Sequence, residues 1–326
     1  MKDNLKWLAI INPASGGGRA KRKWKKKIRN LLESFGVDFT EYITTEPNDA
    51  IKKIKNEIDL YDGFIAVGGD GTSNEVLNGI LQGTIEQGKE NNKLFAIIPA
   101  GTGNDLANAF DLPYKDLEAS CNLLKSGNAT TRLVDVGKVT GNDFNDESIV
   151  RYFCGVFSSG FDAKVAYKTN HGTKWIPGTA SYVKALLTNI IWLDSSKFNV
   201  KINNGQNFDS FTKEGILIAV GVGPYYGAGM KICPDARVDD GIFHVTFLNK
   251  IPRRTLLRVF PKVYDGKHVT HKAVNLFSGP EVEIQSDDDT LWQVDGEIIG
   301  KINIPVKIET LPRILKVLSP IPESLN

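Results

Sequence analysis

Three apolar runs near the start of the chain, LAIIN, FIAVGG and LFAIIPAG, each end in a glycine-rich turn that leads into a helix-start pattern. The turns are INPASGGGRA at 11–20, VGGDGTSNE at 67–75 and PAGTGNDLA at 99–107. Short, partly β-branched apolar runs closed by Gly read as buried strands. Thr72, Ser73 and Asn74, followed by Val76, Leu77 and Ile80 at helical spacing, read as a helix start. Strand, turn and helix repeated in this order predict an α/β domain with a mostly parallel sheet and helices on both faces. Ligands of such sheets bind beyond the carboxyl ends of the strands, so three bare turns there predict a site long enough for a triphosphate.

The physical reason is local. Glycine removes side-chain bulk, and the first turn of a helix points unpaired N–H groups and a partial positive charge outward, which suits an anion. Asp70 sits inside the second turn, where an acid repels phosphate unless it bridges through Mg²⁺, accepts a proton or caps a helix. The first turn is no Walker A loop, since Lys-Ser/Thr does not follow its last Gly. Nor is it a dinucleotide GxGxxG turn with an acidic partner at the next strand.

After Val134 the texture changes. RYFCGVFSSG, SKFNVKINN, GILIAVGVG, GIFHVTFLNK and EVEIQS are short β-rich segments separated by Gly, Asn or Asp turns, as in an antiparallel sandwich. One helix interrupts them, with Tyr182, Leu186, Ile190 and Leu193 at helical spacing. The closing ETLPRILKVLSP is expected to dock back on the first domain. The division is therefore 1–132, joined by about 310–326, for an α/β domain, and 133–309 for a β-rich domain.

With 326 residues, 41% of them hydrophobic, two cores are expected. A net charge of +2 gives no general reason to expect nucleic acid as a partner. Cys121, Cys154 and Cys233 lie far apart, without metal or disulfide spacing, and the N-terminus lacks a signal-peptide pattern, so a cytoplasmic protein is expected. No apolar run reaches transmembrane length, so any membrane contact would be peripheral.

NPASGGG, GGDGT and PAGTGND, in this order and spacing, resemble the diacylglycerol kinase catalytic-domain family, as do LVDVGKV at 133–139, GFDAKVA at 160–166, MKICPDARVDDGIF at 230–243 and WQVDGE at 292–297. The resemblance spans almost the whole chain. It implies a fold like that of the NAD and diacylglycerol kinases and a lipid kinase that uses ATP and Mg²⁺. It implies ATP contacts at Asn12, Pro13, Ala14, Ser15 and Gly16, at Thr45, along Gly69, Asp70, Gly71, Thr72, Ser73 and Asn74, and at Thr102. Glu297 is implied as general base, with Asp70 either holding the catalytic Mg²⁺ or polarising the acceptor hydroxyl. A structural Mg²⁺ is implied at the DDG turn, with Asp240 as side-chain ligand and carbonyls near Arg237 and Ile242. The loop GVGPYYGAGM carries Val222 and Ala228 where many relatives are expected to carry Asn and Gly.

RAKRKWKKKIR at 19–29 gathers eight Lys or Arg around a face of Trp24, Ile28, Leu31 and Phe35. Cations in a first helical turn oppose the helix dipole at about 0.3–1 kcal/mol each, so an anionic partner, ATP phosphates or lipid headgroups, would relieve a conflict. A lipid substrate at the membrane surface is the expected partner, and a homodimer is compatible with the reading. The rivals are a soluble-acceptor kinase of the NAD kinase type, which shares GGDGT, and a nucleotide- or lipid-binding protein without catalysis.

Overall fold

The strand β1 (Lys6–Ile11) buries Leu8, Ala9, Ile10 and Ile11 completely, so both of its faces must be covered, as the centre of a parallel sheet requires. The computed structural model of the protein, which describes residues 5–171, 194–286 and 290–321, shows that arrangement. β1 pairs in parallel with β2 (Asp38–Ile43) on one side and with β3 (Gly63–Gly68) on the other. β3 in turn pairs in parallel with β4 (Leu94–Pro99). The helices between them are α1 (Ser15–Lys23), α2 (Arg29–Ser34), α3 (Asp49–Glu57) and α4 (Asp70–Gly83), followed after β4 by α5 (Asp105–Ala109) and α6 (Leu117–Asn122). Gly79 and Gly83 of α4 let it lie close on α3, since a Cβ at Gly79 would stand 2.8 Å from that of Ile54.

The basic segment is helical but not in the expected register. A π-turn over Trp24–Ile28 joins α1 to α2. The wider turn adds a residue, so Trp24, Ile28 and Leu32 form the buried stripe while Leu31 and Phe35 are half-buried. Trp24 closes the packing with its indole N–H donated to Glu41 at 2.8 Å.

The chain divides into two compact units, Met1–Val134 with Arg313–Asn326, and Asp135–Pro312. β5 (Ala129–Asn142) leads into the second, where it forms a hairpin with β6 (Ser148–Phe153). β7 (Val156–Gly160), β8 (Ser196–Asn203) and β9 (Phe208–Gly221) follow, then the short pair β10 (Tyr225–Tyr226) and β11 (Met230–Lys231). The remaining strands are β12 (Phe243–Asn249), β13 (Val274–Gly279), β14 (Glu281–Ser286), β15 (Leu291–Val294), β16 (Glu297–Lys301) and β17 (Val306–Pro320). β9 is the hub: it pairs antiparallel with β8 along its first half and with β7 and β12 along its second. The start of β17 pairs with β14, while Lys316 and Val317 near its end pair in parallel with Leu94 and Phe95 of β4.

Period-two alternation along β9 and β12 builds two apolar layers in the second unit. Ile218, Val220, Phe243, Val245 and Phe247 point into one core with Phe157, Phe198 and Trp292. Leu217, Ala219 and Leu248 point into the other, under α7 (Phe161–His171) and α8 (Arg253–Val259). The helix expected around Tyr182, Leu186, Ile190 and Leu193 lies outside the described residues.

The loop from Gly227 to Gly229 takes φ of 59°, 67° and 97°, so Ala228 holds a left-handed conformation that costs an L-residue about 1–2 kcal/mol. Restoring glycine relieves this but loosens the unfolded chain. Ala228→Gly is expected to stabilise the protein by about 0.5–1 kcal/mol in urea melts, and a destabilised variant would show that other contacts hold Ala228 in place.

Candidate active site

The three glycine turns follow β1, β3 and β4, which are consecutive in the sheet, and they touch. Gly16, Gly17 and Gly18 take φ of 61°, 66° and 85° in succession, a path that only glycine follows at little cost. A Cβ on Gly16 would lie 3.1 Å from the Ala100 carbonyl oxygen. One on Gly69 would lie 3.3 Å from the Gly101 Cα and 3.5 Å from Ser15 Oγ, and one on Gly101 only 2.4 Å from the Gly69 Cα. Any side chain at Gly101 would therefore push the second and third turns apart. The Ala100 and Gly101 N–H groups both donate to the Gly68 carbonyl, at 2.7 and 2.9 Å.

Asp70 does not cap its own helix. The Leu106 N–H donates to its Oδ1 at 3.0 Å, so the carboxylate of the second turn caps α5, which the third turn opens. Burial raises the Asp70 pKa, and the backbone N–H groups of Leu106, Asp105 and Asn104 pull it back. The fit of these turns to a phosphate ligand rests on two further observations. A Cβ at Gly71 would meet nothing within 4 Å, so the start of α4 is open. Thr72 Oγ1 and Asn104 Oδ1 are buried without a hydrogen-bond partner, the kind of polar atom a ligand or water satisfies.

The other expected nucleotide contacts divide. Asn12 Oδ1 accepts the Ala14 N–H at 3.0 Å and so shapes the loop of Asn12, Pro13, Ala14, Ser15 and Gly16. Thr45 lies beyond β2, with its N–H and hydroxyl both donated to Asp49 Oδ2, at 2.8 and 3.1 Å. Thr102 is exposed on the third turn. Thr72, Ser73 and Asn74 are all buried, with Asn74 Oδ1 accepting from Asn78, while Gly69 and Asp70 are half-buried and Gly71 is exposed. Asn104 was not singled out from sequence, although an Asn inside a glycine turn, here at φ 57°, is the available signal.

In the second unit Glu297 opens β16, directly after the two-residue turn Asp295-Gly296 with φ of 47° and 88°. Burial raises its pKa, and Arg151 opposes the rise, so the carboxyl stands as a weaker acid and a stronger base than a solvated glutamate. Asp240 sits at the DDG turn with Oδ1 accepting the Ile242 N–H at 3.2 Å and Oδ2 against His244 Nε2 at 3.0 Å. Arg237 and Ile242 flank it. Each Asp240 oxygen thus has one protein partner, which leaves it a further lone pair, and among the described residues there is no group of three or more metal-binding side chains.

The second apolar layer encloses a cavity of about 70 Å³ lined by residues such as Phe161, Leu217, Met230, Leu256 and Val263. Asp162 and His268 also line it, and Asp162 Oδ1 and His268 Nδ1 are buried without partners. Burial pushes the Asp162 pKa to about 6, from 3.8, despite the Ser158 hydroxyl that supports its charge. The folded protein thus holds a proton that the unfolded chain releases between pH 3.8 and 6, and stability falls as pH rises through this window. Asp162→Asn is expected to be more stable than the parent above pH 6, by up to about 3 kcal/mol, with the difference gone near pH 4. Urea melts at pH 4 and 7.5 measure it, and a difference independent of pH would contradict the assignment.

Comparison with known proteins places these features in a family. Residues 6–139 match the family profile of the diacylglycerol kinase catalytic domain, and 155–319 that of the YegS C-terminal NAD kinase beta sandwich-like domain. A diacylglycerol kinase of Mycobacterium tuberculosis is 29% identical over 316 residues, covering 97% of this chain and 95% of that protein. One of Staphylococcus saprophyticus is 28% identical over 315 residues, covering 95% and 94%. The fold is similar to that of a Bacillus anthracis diacylglycerol kinase crystal structure, with a TM-score of 0.67 at 19% identity over 97% of each chain. It is more distantly similar to yeast NADH kinase in complex with NADH, with a TM-score of 0.51 at 11% identity over 98% of this chain and 84% of that one. With the glycine turns and the β-rich unit both matched in chain order, the protein belongs to the diacylglycerol kinase catalytic-domain family and is a kinase of a hydroxyl acceptor.

Proposed function

We propose that the protein transfers the γ-phosphate of ATP to a lipid hydroxyl, with diacylglycerol as the first candidate acceptor and phosphatidic acid as product. The observation that carries the lipid reading is the apolar cavity of the β-rich unit, since its mostly aliphatic and aromatic walls suit acyl chains. Its two unpartnered polar atoms, on Asp162 and His268, suit the polar groups such a lipid carries between its chains. The names of the curated relatives support the same acceptor.

The glycine turns supply the phosphate site. Backbone N–H groups from the loop at Asn12–Gly16 and from the start of α4 at Gly71 and Thr72 would hold the phosphates, and Asp70 is the carboxylate within reach of them. Mg²⁺ bound with the nucleotide would neutralise phosphate charge there. Glu297 would accept the proton of the attacking hydroxyl. Phosphoryl transfer leaves the protein mainly positioning and charge stabilisation, which these groups can provide. Labelled ATP offered with diacylglycerol, phosphatidylglycerol, a sphingoid base and NAD tests the reading. Phosphorylation of NAD alone would replace it with a soluble-acceptor kinase, and ATP binding without transfer to any acceptor would leave a binding protein.

Lipid acceptors require approach to a membrane, and among the described residues no helix is long and apolar enough to cross one. The basic segment is the proposed contact. Lys21, Lys25 and Lys26 are exposed and form no ion pair among the described residues, whereas Lys27 pairs with Glu118 at 3.1 Å and Arg29 with Glu33 at 3.1 Å. Neutralising Lys21, Lys25 and Lys26 is expected to weaken binding to anionic vesicles by up to about 1 kcal/mol per charge, with the fold unchanged. Sedimentation with phosphatidylserine vesicles at low and high salt measures this. Salt-independent binding equal to the parent's would leave the segment a solvated face.

A further inference from the structure

A chain of hydrogen bonds, buried except at its last link, runs from the wall of the apolar cavity to the turn just before Glu297. The Gly296 N–H donates to Gln293 Oε1 at 2.6 Å, the Gln293 amide N–H donates to Ser158 Oγ, and the Ser158 hydroxyl donates to Asp162 Oδ2. Gln293 and Ser158 are cross-strand partners on β15 and β7, and Asp162 stands one turn beyond Ser158 at the start of α7. All three side chains are buried, at 2%, 0% and 3% exposure. The direction of the chain is set at its ends. A backbone N–H can only donate, so the amide oxygen must face Gly296, its N–H groups face Ser158, and the hydroxyl proton is left for the carboxylate.

Such a chain is a poor way to gain stability. Apolar side chains at 158 and 293 would fill the same space without the cost of burying polar groups. What the chain does supply is geometry. Asp295 is held to β7 on the other side of the turn, its N–H donated to the Val156 carbonyl at 3.1 Å and its Oδ1 accepting the Val156 N–H at 2.9 Å. Together these bonds hold the two turn residues before Glu297, Asp295 through Val156 and Gly296 through Gln293.

We propose that Gln293, Ser158 and Asp162 are positioning residues for Glu297, holding its turn in one geometry and tying that geometry to the wall of the acceptor cavity. The proposal rests on the reading of Glu297 as the base. Gln293→Met and Ser158→Ala, made in the full chain, are each expected to lower kcat by up to about 10²-fold, as a displacement of order 1 Å does. KM for ATP should change less than about threefold and the melting temperature little. Links of one chain do not act additively, so the double variant should lose no more than the worse single one. Ser158→Thr, which keeps the hydroxyl, should retain most of the parent kcat. A folded Gln293→Met at the parent kcat, or additive losses shared between kcat and KM, would overturn the proposal. Should Gln293→Met not fold, equal kcat in Ser158→Ala and Ser158→Thr overturns it instead. A parent-rate Glu297→Gln would remove the base reading itself, whereas a crippled Glu297→Gln beside a parent-rate Gln293→Met removes only the relay.

Discussion

Asp70→Asn is expected to lose turnover by at least about 10²–10³-fold while remaining folded, the scale of removing one preorganised electrostatic group from an active site. The substitution keeps the shape and one acceptor oxygen, so the cap on the Leu106 N–H at 3.0 Å survives and α5 keeps its start. What it removes is negative charge at the point where three glycine turns meet. The stability side has a definite sign. Burial raises the Asp70 pKa, so its ionised form is a net burden on the folded state at neutral pH, and stability falls as pH rises through the raised value. The amide carries no such burden, and the variant should melt at or above the parent's temperature at pH 7. Loss of activity together with a lower melting temperature would make Asp70 a structural cap. Parent-rate turnover would exclude it from the chemistry altogether.

Glu297→Gln should fail differently. ATP binding is proposed for the glycine turns of the other unit, so nucleotide affinity is expected to stay at the parent value while kcat falls by roughly 10²–10⁴, the usual share of a general base. The pH dependence carries a second signature. A base works deprotonated, and burial raises the Glu297 pKa with Arg151 opposing. The parent kcat should therefore climb as pH rises through that raised value, and the Gln variant should lack this limb. An unchanged pH profile in the variant would assign the limb to another group, with Asp70 the next to test.

Much of the fold was legible because it rests on short-range rules. The apolar runs ending at Asn12, Gly69 and Gly101 became adjacent strands, and the alternation along GILIAVGVG and GIFHVTFLNK became the two faces of a β-rich unit. The basic helix was legible only in outline. Helical spacing assumes 3.6 residues per turn, and the π-turn at Trp24–Ile28 moved Leu32 into the buried stripe in place of Leu31.

The candidate site divides along the same line. That glycine stands at 16, 17, 18, 69, 71 and 101, and that acids stand at 70, 240 and 297, is sequence, and so is what those residue types can do: glycine frees backbone for an anion, and a carboxylate binds a cation or takes a proton. Which partner each carboxylate meets was decided by tertiary structure. Asp70 caps a helix that begins 35 residues further on, Asp240 is occupied by Ile242 and His244, and Gln293 meets Ser158 across 135 residues of chain. Torsional freedom and apolar period are properties of neighbouring residues, so they can be read along the chain. The protonation state, the unsatisfied polar atom and the hydrogen-bond partner depend on what is packed against a group and what excludes water from it, and those neighbours come from strands that only the folded chain brings together.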